Sequence, residues 1–564
     1  MKEVKHTSGS IVAVNPLLKF RQFILLGFLF LAVVIYLLFH FANPINLLTA
    51  DIGRHIKNGE LISTSVAKPL TSNFYSYTMP DLDVINHHWG SGVIFYHLWH
   101  WGGFPGLSFF YLSLFLVTFL LFFQTALLLT NFPFALFFTI ISIPLITDRN
   151  EIRPEGFSAL LLGLYLFLLL RSKLKKCTGA ELCAPTKALW IIPALQLLWV
   201  NLHIFFILGI IILAIFIVDA FLEKRDIQTI KEMIAIGIVS CLACLINPFG
   251  LEGALVPLHI FKQYGYLLAE NQSVFFMMHR FPQNPIYIHF LILGALAILS
   301  AALVLRFGNW KKWIWSTALL GFFLIVGVKS IRGMSIFCFM FIPLAGWHFF
   351  ECARNFPQNW KNRIDRTLIF IAGIAVVLGL FCSQWPLNPY HRFKSFISRL
   401  EDKQRPRNLP ELICHSEIWS GLMPGVNGSA DFFKSAKLEG PIFNNYDIGG
   451  YLIYHLFPKE RVFVDNRPEA YTAPFFKDTY IPMQEDNLYW QKTDAQYNFN
   501  AIFFYRHDLT PWGQEFLINR IKDTQWAPVF VDDYAIIFLK RNSRNAEIIQ
   551  RHELPKSMFR VSEF

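Results

Sequence analysis

A carboxylate, a guanidinium and an imidazole stand together at Asp51, Arg54 and His55, directly after the first long apolar run at 23–42. Ionisable groups at the mouth of a membrane span are costly unless they do chemistry, so the search for a site starts there. Asp51 and His55 are spaced i, i+4 and share one face of a helix, with Arg54 at i+3. A carboxylate and an imidazole can move a proton, and a guanidinium can hold an anion. The plain alternative is that Asp51 caps a helix start or faces its dipole.

Other groups of this kind follow. The same outer loop carries Pro69-Leu70-Thr71-Ser72-Asn73-Phe74-Tyr75-Ser76-Tyr77-Thr78 and then Asn86-His87-His88-Trp89. Aromatics and amides beside histidines suit contact with a carbohydrate or a lipid phosphate, and equally suit interfacial anchoring, where Trp and Tyr accumulate. His88 stays a candidate, whereas Trp89, Trp99 and Trp101 read as belt residues. Asp148-Arg149-Asn150-Glu151-Ile152-Arg153-Pro154-Glu155 is a tight charged turn whose Pro154 suits the first turn of the next helix. Asp148 or Glu151, with a carboxylate across the site, could bind a divalent cation or share a proton, and Arg153 could neutralise a phosphate. A solvated hairpin is the alternative. Asn201 and His203 interrupt the apolar run 188–222 at a bend where polar groups need partners. Asn247-Pro248-Phe249-Gly250 ends another helix, Glu270 lies in the loop after it, and Arg332 is a cation near a helix end, suited to a lipid headgroup or a substrate phosphate.

The elements that must position these groups are membrane helices. The 564 residues are 54% hydrophobic, include 59 Phe and are only 16% charged, against roughly 25% charged in soluble domains. Apolar runs at 20–42, 107–130, 133–147, 156–170, 189–200, 204–222, 233–246, 286–305, 313–328, 334–350 and 368–381 predict about eleven helices. Several fall short of the roughly 20 residues that a perpendicular span needs. Short helices are expected where backbone lines a polar cavity rather than lipid. The first run is too long for a cleaved signal and reads as an anchor.

Lys and Arg divide between the two sides roughly two to one, with Lys2, Lys5, Arg171, Lys173, Lys224, Arg225, Lys311 and Lys361 among those on the richer side. This bias predicts a cytoplasmic amino terminus, and the odd helix count puts the carboxy-terminal segment outside. All the candidate residues then gather at the outer face. The formal charge of +11 sits in short clusters between apolar runs, which is a topology signal and excludes a nucleic-acid stripe. Cys241 and Cys244 share a C-x-x-C spacing inside an apolar helix, with packing the favoured reading.

Beyond 381 the composition becomes mixed. The expected organisation is a transmembrane domain at 1–384 with a large first outer loop at 43–105, a Pro-rich charged connector at 385–410, and an α/β domain at 411–564. Strands are predicted at 461–465, 501–505, 529–531 and 535–539, with a hairpin at Asp532-Asp533 and helices at 485–497 and 513–522. Asp465, Asn466 and Arg467 follow a predicted strand, a place where open α/β sheets bind ligands and where a simple turn is the alternative.

The motif order D-x-G-x-H-I-x-x-G, P-x-x-x-x-x-Y-S-Y-T, N-H-H-W, R-P-E-G-F-S, W-V-N-L-H, N-P-F-G, G-G-Y-L-I and V-F-V-D-N-R, from about Asp51 to Arg541, resembles bacterial polytopic proteins of the GT-C glycosyltransferase superfamily. The resemblance implies a GT-C-like membrane fold in a bacterial inner membrane and a polyprenyl-phosphate sugar donor. The acceptor would be an envelope glycan, a lipid or a protein, reached at the outer face. It implies Asp51 as general base with His55 or His88 as helper. Substrate or phosphate contacts would come from Arg54, Asp148, Glu151, Arg153, Asn201, His203, Glu270 and Arg332. A cofactor is left unassigned; a divalent cation such as Mg or Mn is compatible with the sequence and not required by it. A transporter or flippase, whose helices are also interrupted by polar groups, is the competing class, and a non-catalytic scaffold for envelope polysaccharide assembly is a third. A composite site requires Asp51 and the 148–153 turn to lie within about 15 Å, since charge coupling fades beyond a Debye length of about 8 to 10 Å.

Overall fold

The computed structural model describes residues 16–65, 68–174, 187–259, 264–308, 310–381 and 421–559. The connector expected at 385–410 and Cys414 lie outside the described residues. Each apolar run falls on a helix: Pro16–Phe41, Trp89–Leu129, Phe132–Thr147, Glu155–Leu174, Ile192–Leu202, Ile207–Leu222, Ile227–Ala243, Ile286–Phe307, Trp310–Lys329, Arg332–Ala353 and Gln358–Phe381. Among the described residues seven helices are long and apolar enough to cross a membrane, and the chain is a multi-pass membrane protein. The Trp89–Leu129 helix starts well before the run expected at 107–130 and bends at Gly103, two residues ahead of Pro105.

Local chemistry sets the helix ends. Asn131 opens the Phe132–Thr147 helix by accepting the Phe134 N–H at 3.2 Å, with Pro133 next to it. Asp226 does the same for Ile227–Ala243 through the Thr229 N–H at 2.8 Å. Arg332–Ala353 is the most buried of the long helices and packs on Phe132–Thr147, where Phe138 meets Phe341 and Phe349 with ring centroids 5.5 and 5.6 Å apart. In lipid such helices gain little from the hydrophobic effect, so ring packing and polar ties carry the association. One tie is Lys173, whose Nζ lies 2.5 Å from Asp219 Oδ2 and 2.6 Å from Glu223 Oε1, joining the Glu155–Leu174 and Ile207–Leu222 helices.

The carboxy-terminal segment forms a four-stranded sheet of β1 Ile442–Asn444, β2 Ala501–Tyr505, β3 Trp526–Val531 and β4 Ala535–Lys540, in the order β1-β2-β4-β3. β1 runs parallel to β2 with Ile442 opposite Ala501, and β4 is antiparallel to both β2 and β3. Alternation divides β2: Ala501 and Phe503 join the core continuous with the membrane helices, while Ile502 and Phe504 face a second, aromatic core with Phe443, Trp490 and Trp526. The strands expected from 501, 529 and 535 and the hairpin at 532–533 are present. The helices run Asn487–Tyr497 and Gly513–Lys522, the first starting two residues late because Asp486 caps it through the Leu488 and Tyr489 N–H groups.

The strand expected at 461–465 is not formed. Val462 makes a single bridge to Ser76 instead, because the first outer loop takes its hydrogen bonds: Val462 N donates to Tyr75 O at 3.1 Å and Tyr77 N to Val462 O at 3.2 Å. The segment 73–78 therefore straps the outer loop to the carboxy-terminal segment. Ser76 Oγ donates to Phe463 O at 3.0 Å, Tyr77 Oη to Ile442 O at 2.8 Å and Asn73 Nδ2 to Ala470 O at 2.7 Å. Its polar groups are spent on the chain itself rather than on a sugar or a lipid phosphate.

Candidate functional site

A cavity of about 1180 Å³ lies where the outer-loop helix, the 148–155 turn, the 264–272 loop, the start of the Arg332–Ala353 helix and the carboxy-terminal segment meet. Asp51, Arg54, His88, Asp148, Glu151, Arg153, Glu270 and Arg332 all line it. The structure thus gathers eight of the eleven residues singled out in the sequence.

Asp51 occupies the position before the Ile52–Ser63 helix, yet its side chain makes no capping bond. The carboxylate, 22% exposed, faces the cavity instead. Arg153 Nη1 lies 3.6 Å from its Oδ2 and Arg54 Nη2 3.9 Å from its Oδ1, and Asn466 Nδ2 donates to Oδ1. Asn466 in turn accepts from Arg54 Nε at 3.0 Å. The composite-site requirement of 15 Å is met by a direct ion pair.

Asn466 was one of three residues left between turn and ligand site. Its neighbours explain its precision: Asp465 and Arg467 are buried and paired, with Arg467 Nη2 2.7 Å from Asp465 Oδ2 and 2.7 Å from Asn73 Oδ1, and Tyr471 Oη donating to Asp465 at 3.1 Å. Burial opposes the Asp465 charge, but Arg467 outweighs it and holds that carboxyl below its ordinary value. Gly449 lets this loop close, since a Cβ there would come within 2.4 Å of Asp465 Cα.

The cationic wall lies beside Asp51. Glu270 accepts from Arg149 Nη2 at 3.1 Å, from Arg153 Nη1 at 2.8 Å, and from Arg332. Arg149 also forks onto Glu155 with two contacts of 3.1 Å, and Glu151 reaches Arg153 Nη2 at 2.6 Å. Burial disfavours the Arg153 charge, yet Glu151, Asp51 and Glu155 more than offset it and raise its pKa. Arg332 Nε has no partner. Three guanidiniums converging on one carboxylate form a ready anion site.

Burial disfavours charge on the imidazoles. Burial, and then the neighbouring charge of Arg54 for His55 and of His87 for His88, pushes both rings well below the ordinary histidine range, and burial lowers His87 as well. His88 Nδ1 is unpartnered on the cavity side. Positive charge at the site therefore comes from arginine alone.

Three candidates do not reach the cavity. His55 is 1% exposed, wedged against His88 and Phe95, because the Ile52–Ser63 helix packs directly on the Trp89–Leu129 helix: a Cβ on Gly59 would lie 2.1 Å from Gly92 O. His203 is buried behind His88, its ring stacked at 5.0 Å, and its Nδ1 meets Ser158 Oγ at 2.8 Å. Trp199 Nε1 donates to that same Ser158 at 2.7 Å. Asn201 lies on the flank, accepting from Trp89 Nε1 at 3.1 Å and donating to Leu197 O and Ile246 O at 2.9 Å. Asn201 and His203, the two that interrupt apolar sequence, are satisfied inside the protein, whereas His55 is shut in with its Nδ1 unpartnered among the described residues.

The carboxy-terminal segment gives the cavity a further face, lined by Tyr446, Asp447, Asp508 and Trp512. Burial, with Asp508, Asp51 and Glu151 nearby, pushes Asp447 up to about 7. Tyr446 and Asp447 carry only the weak sequence signal of the turn glycines at 449 and 450, and Asp508 and Trp512 carry none. Among the described residues no group of three or more His, Cys, Asp or Glu is arranged to hold a metal ion. Glu151 and Glu270, which line the same cavity as Asp51, are already engaged by guanidiniums.

No protein-family model matches the chain, and no curated protein matches it in sequence. Its fold does match solved structures. The Archaeoglobus fulgidus oligosaccharyltransferase in its apo form aligns with a TM-score of 0.50 at 11% identity, over 85% of this chain and 69% of that one. AglB from the same organism, in complex with an inhibitory peptide and a dolichol-phosphate, aligns with a TM-score of 0.54 at 12% identity, over 90% and 74%. ArnT from Cupriavidus metallidurans bound to undecaprenyl phosphate gives 0.49 at 12%, over 92% and 98%. At such identities the likeness is one of fold, and the helical membrane part with its carboxy-terminal α/β segment is the GT-C-type architecture that the motifs led us to expect.

Proposed function

We propose that the protein is a membrane glycosyltransferase that moves a sugar from a polyprenyl-phosphate donor to an acceptor hydroxyl at the outer face of a bacterial inner membrane. In this reading the amino terminus is cytoplasmic and residues 411–564 form an extracytoplasmic domain over the site. The observation that carries it is the pairing, in one cavity, of the Asp51 carboxylate with Arg153 at 3.6 Å and of Arg149, Arg153 and Arg332 around Glu270. A base and an anion site side by side are what an inverting transfer from a phosphate donor needs. AglB, which shares the fold, is an oligosaccharyltransferase seen with a dolichol-phosphate.

The step balances within the cavity. Asp51 takes the acceptor hydroxyl proton while the acceptor oxygen bonds to the anomeric carbon. The bond from that carbon to the phosphate oxygen breaks, and its electron pair leaves on the polyprenyl phosphate. Arg153, Arg149 and Arg332 neutralise the growing charge, trading Glu270 for phosphate oxygens. Asn466 and Arg54 aim Asp51, and His88 lines the approach.

The test is incubation of purified protein with radiolabelled polyprenyl-phosphate sugars and membrane extract. Asp51→Asn, which keeps the shape and removes the base, is expected to lower transfer by about 10²- to 10⁴-fold. Equal transfer by both proteins removes Asp51 from the chemistry, and no transfer from any donor by wild type favours a transporter or scaffold.

A further inference from the structure

Opposite the guanidiniums the cavity has a second wall of a different character. Tyr446 is 4% exposed and its Oη has no partner, although it borders the cavity. Trp512 Nε1 and Thr510 Oγ1 are unpartnered on the same wall. A buried phenol, indole N–H or hydroxyl left unpaired costs free energy, so each implies an exchangeable partner. Tyr266 lies against Tyr446 with centroids 4.5 Å apart and the rings tilted by 30°, and meets Trp512 edge-on at 6.3 Å, giving an aromatic lining. Asp508 is held rigidly among them, accepting from Asn445 Nδ2 and from Thr510 N at 2.8 Å each.

We infer that Tyr446, Asp447, Asp508 and Trp512 form the acceptor subsite and bind a carbohydrate, neutral or cationic, whose hydroxyl is the nucleophile. Aromatic faces cover the C–H surface of a sugar ring. Carboxylates accept its hydroxyls, and unpaired phenol and indole groups add donors of both kinds. The wall's negative charge turns away anionic ligands, which leaves phosphate to the arginine side. Asp51 lines the same cavity as Tyr446 and Asp447, so a ring held here shares that space with the base. The assignment rests on the proposed transfer reaction and names its acceptor class.

The experiment uses the full chain in lipid nanodiscs and measures binding of two probes separately: undecaprenyl phosphate, and a panel of methyl glycosides comprising neutral hexosides, aminohexosides and hexuronides. Neutral and amino glycosides are expected to bind and hexuronides not. Tyr446→Phe deletes one oxygen that the fold does not use, and it is expected to weaken glycoside binding about tenfold with an unchanged melting temperature. Trp512→Phe should act in the same direction, while undecaprenyl phosphate binding stays within about twofold in both. The inference is overturned if no glycoside binds, if hexuronides bind best, if a peptide displaces the glycoside without regard to charge, or if both variants bind as wild type does. Absence of undecaprenyl phosphate binding in wild type strikes the donor reading instead, and so separates the two failures.

Discussion

Two buried ionic clusters sit at different places in the helical part, and they differ in what closes over them. Around Lys173 one ammonium is gripped by Asp219 and Glu223, with Trp315 over it at 5.4 Å, and none of these residues lines the cavity beside Asp51. Around Glu270 three guanidiniums share one carboxylate, Asp51 stands 3.6 Å from one of them, and the whole assembly faces a large cavity. Both arrangements overcome desolvation by pairing. Among the described residues each leaves one atom without a partner, Asp219 Oδ1 in the first and Arg332 Nε in the second, but only Arg332 lines the cavity. Ion pairing alone therefore says little about function; the open volume beside it says more.

That contrast can be broken by exchanging the readouts. Asp51→Asn should abolish most transfer, by the factor given above, while leaving the melting temperature of purified protein within a few degrees. Lys173→Ala should do the reverse. It strands the buried Asp219 carboxylate, while Glu223 keeps Arg225 at 3.2 Å, at a cost of about 3 kcal/mol, visible as a large fall in melting temperature, with turnover per folded molecule retained. Loss of turnover without loss of stability in Lys173→Ala would place that cluster in the mechanism.

A smaller effect tests the arginine wall. Arg332→Gln should weaken undecaprenyl phosphate binding roughly 30-fold in a vesicle or nanodisc titration. Unchanged affinity would mean that Arg149 and Arg153 suffice and that Arg332 only steadies Glu270.

The smallest effect concerns the acidic wall. Asp447 has its folded pKa raised to about 7, above its unfolded value, so the folded state binds the extra proton. Its contribution is fully present below about pH 4 and is lost as pH rises toward 7. Asp447→Asn should therefore raise the melting temperature at pH 7.5 by about 2–4 °C, and the gain should vanish below pH 4. A gain that persists at pH 4 would show that packing, not ionisation, is responsible.

Much of the site could be read in advance because its elements are punctuated locally. The apolar runs and Pro154 at a helix start act within a few residues, so the helices were placed and the gathering of Asp51, Arg153, Glu270 and Arg332 in one cavity followed from them. Failures came where a distant partner decided the outcome. The run 461–465 has strand composition but spends its hydrogen bonds on Ser76 and its neighbours. His55 has the spacing to accompany Asp51, but the contact of Gly59 with Gly92 seals it in. His203 and Asn201 look exceptional in an apolar run until Ser158, Trp89 and Ile246 O supply their partners.

By itself the sequence determined that this is a polytopic membrane chain, where its helices lie, and that Asp51 and its arginine companions end up on one side, because hydropathy and helix-end chemistry depend only on near neighbours. The tertiary structure alone decided that Asn466, 415 residues away, would aim Asp51, that Tyr446 and Trp512 would share a wall with Asp447, and that His55 would be shut out. Those are contacts between segments whose separation in the chain carries no periodic signal, and they exist only once loop, helix and sheet have packed.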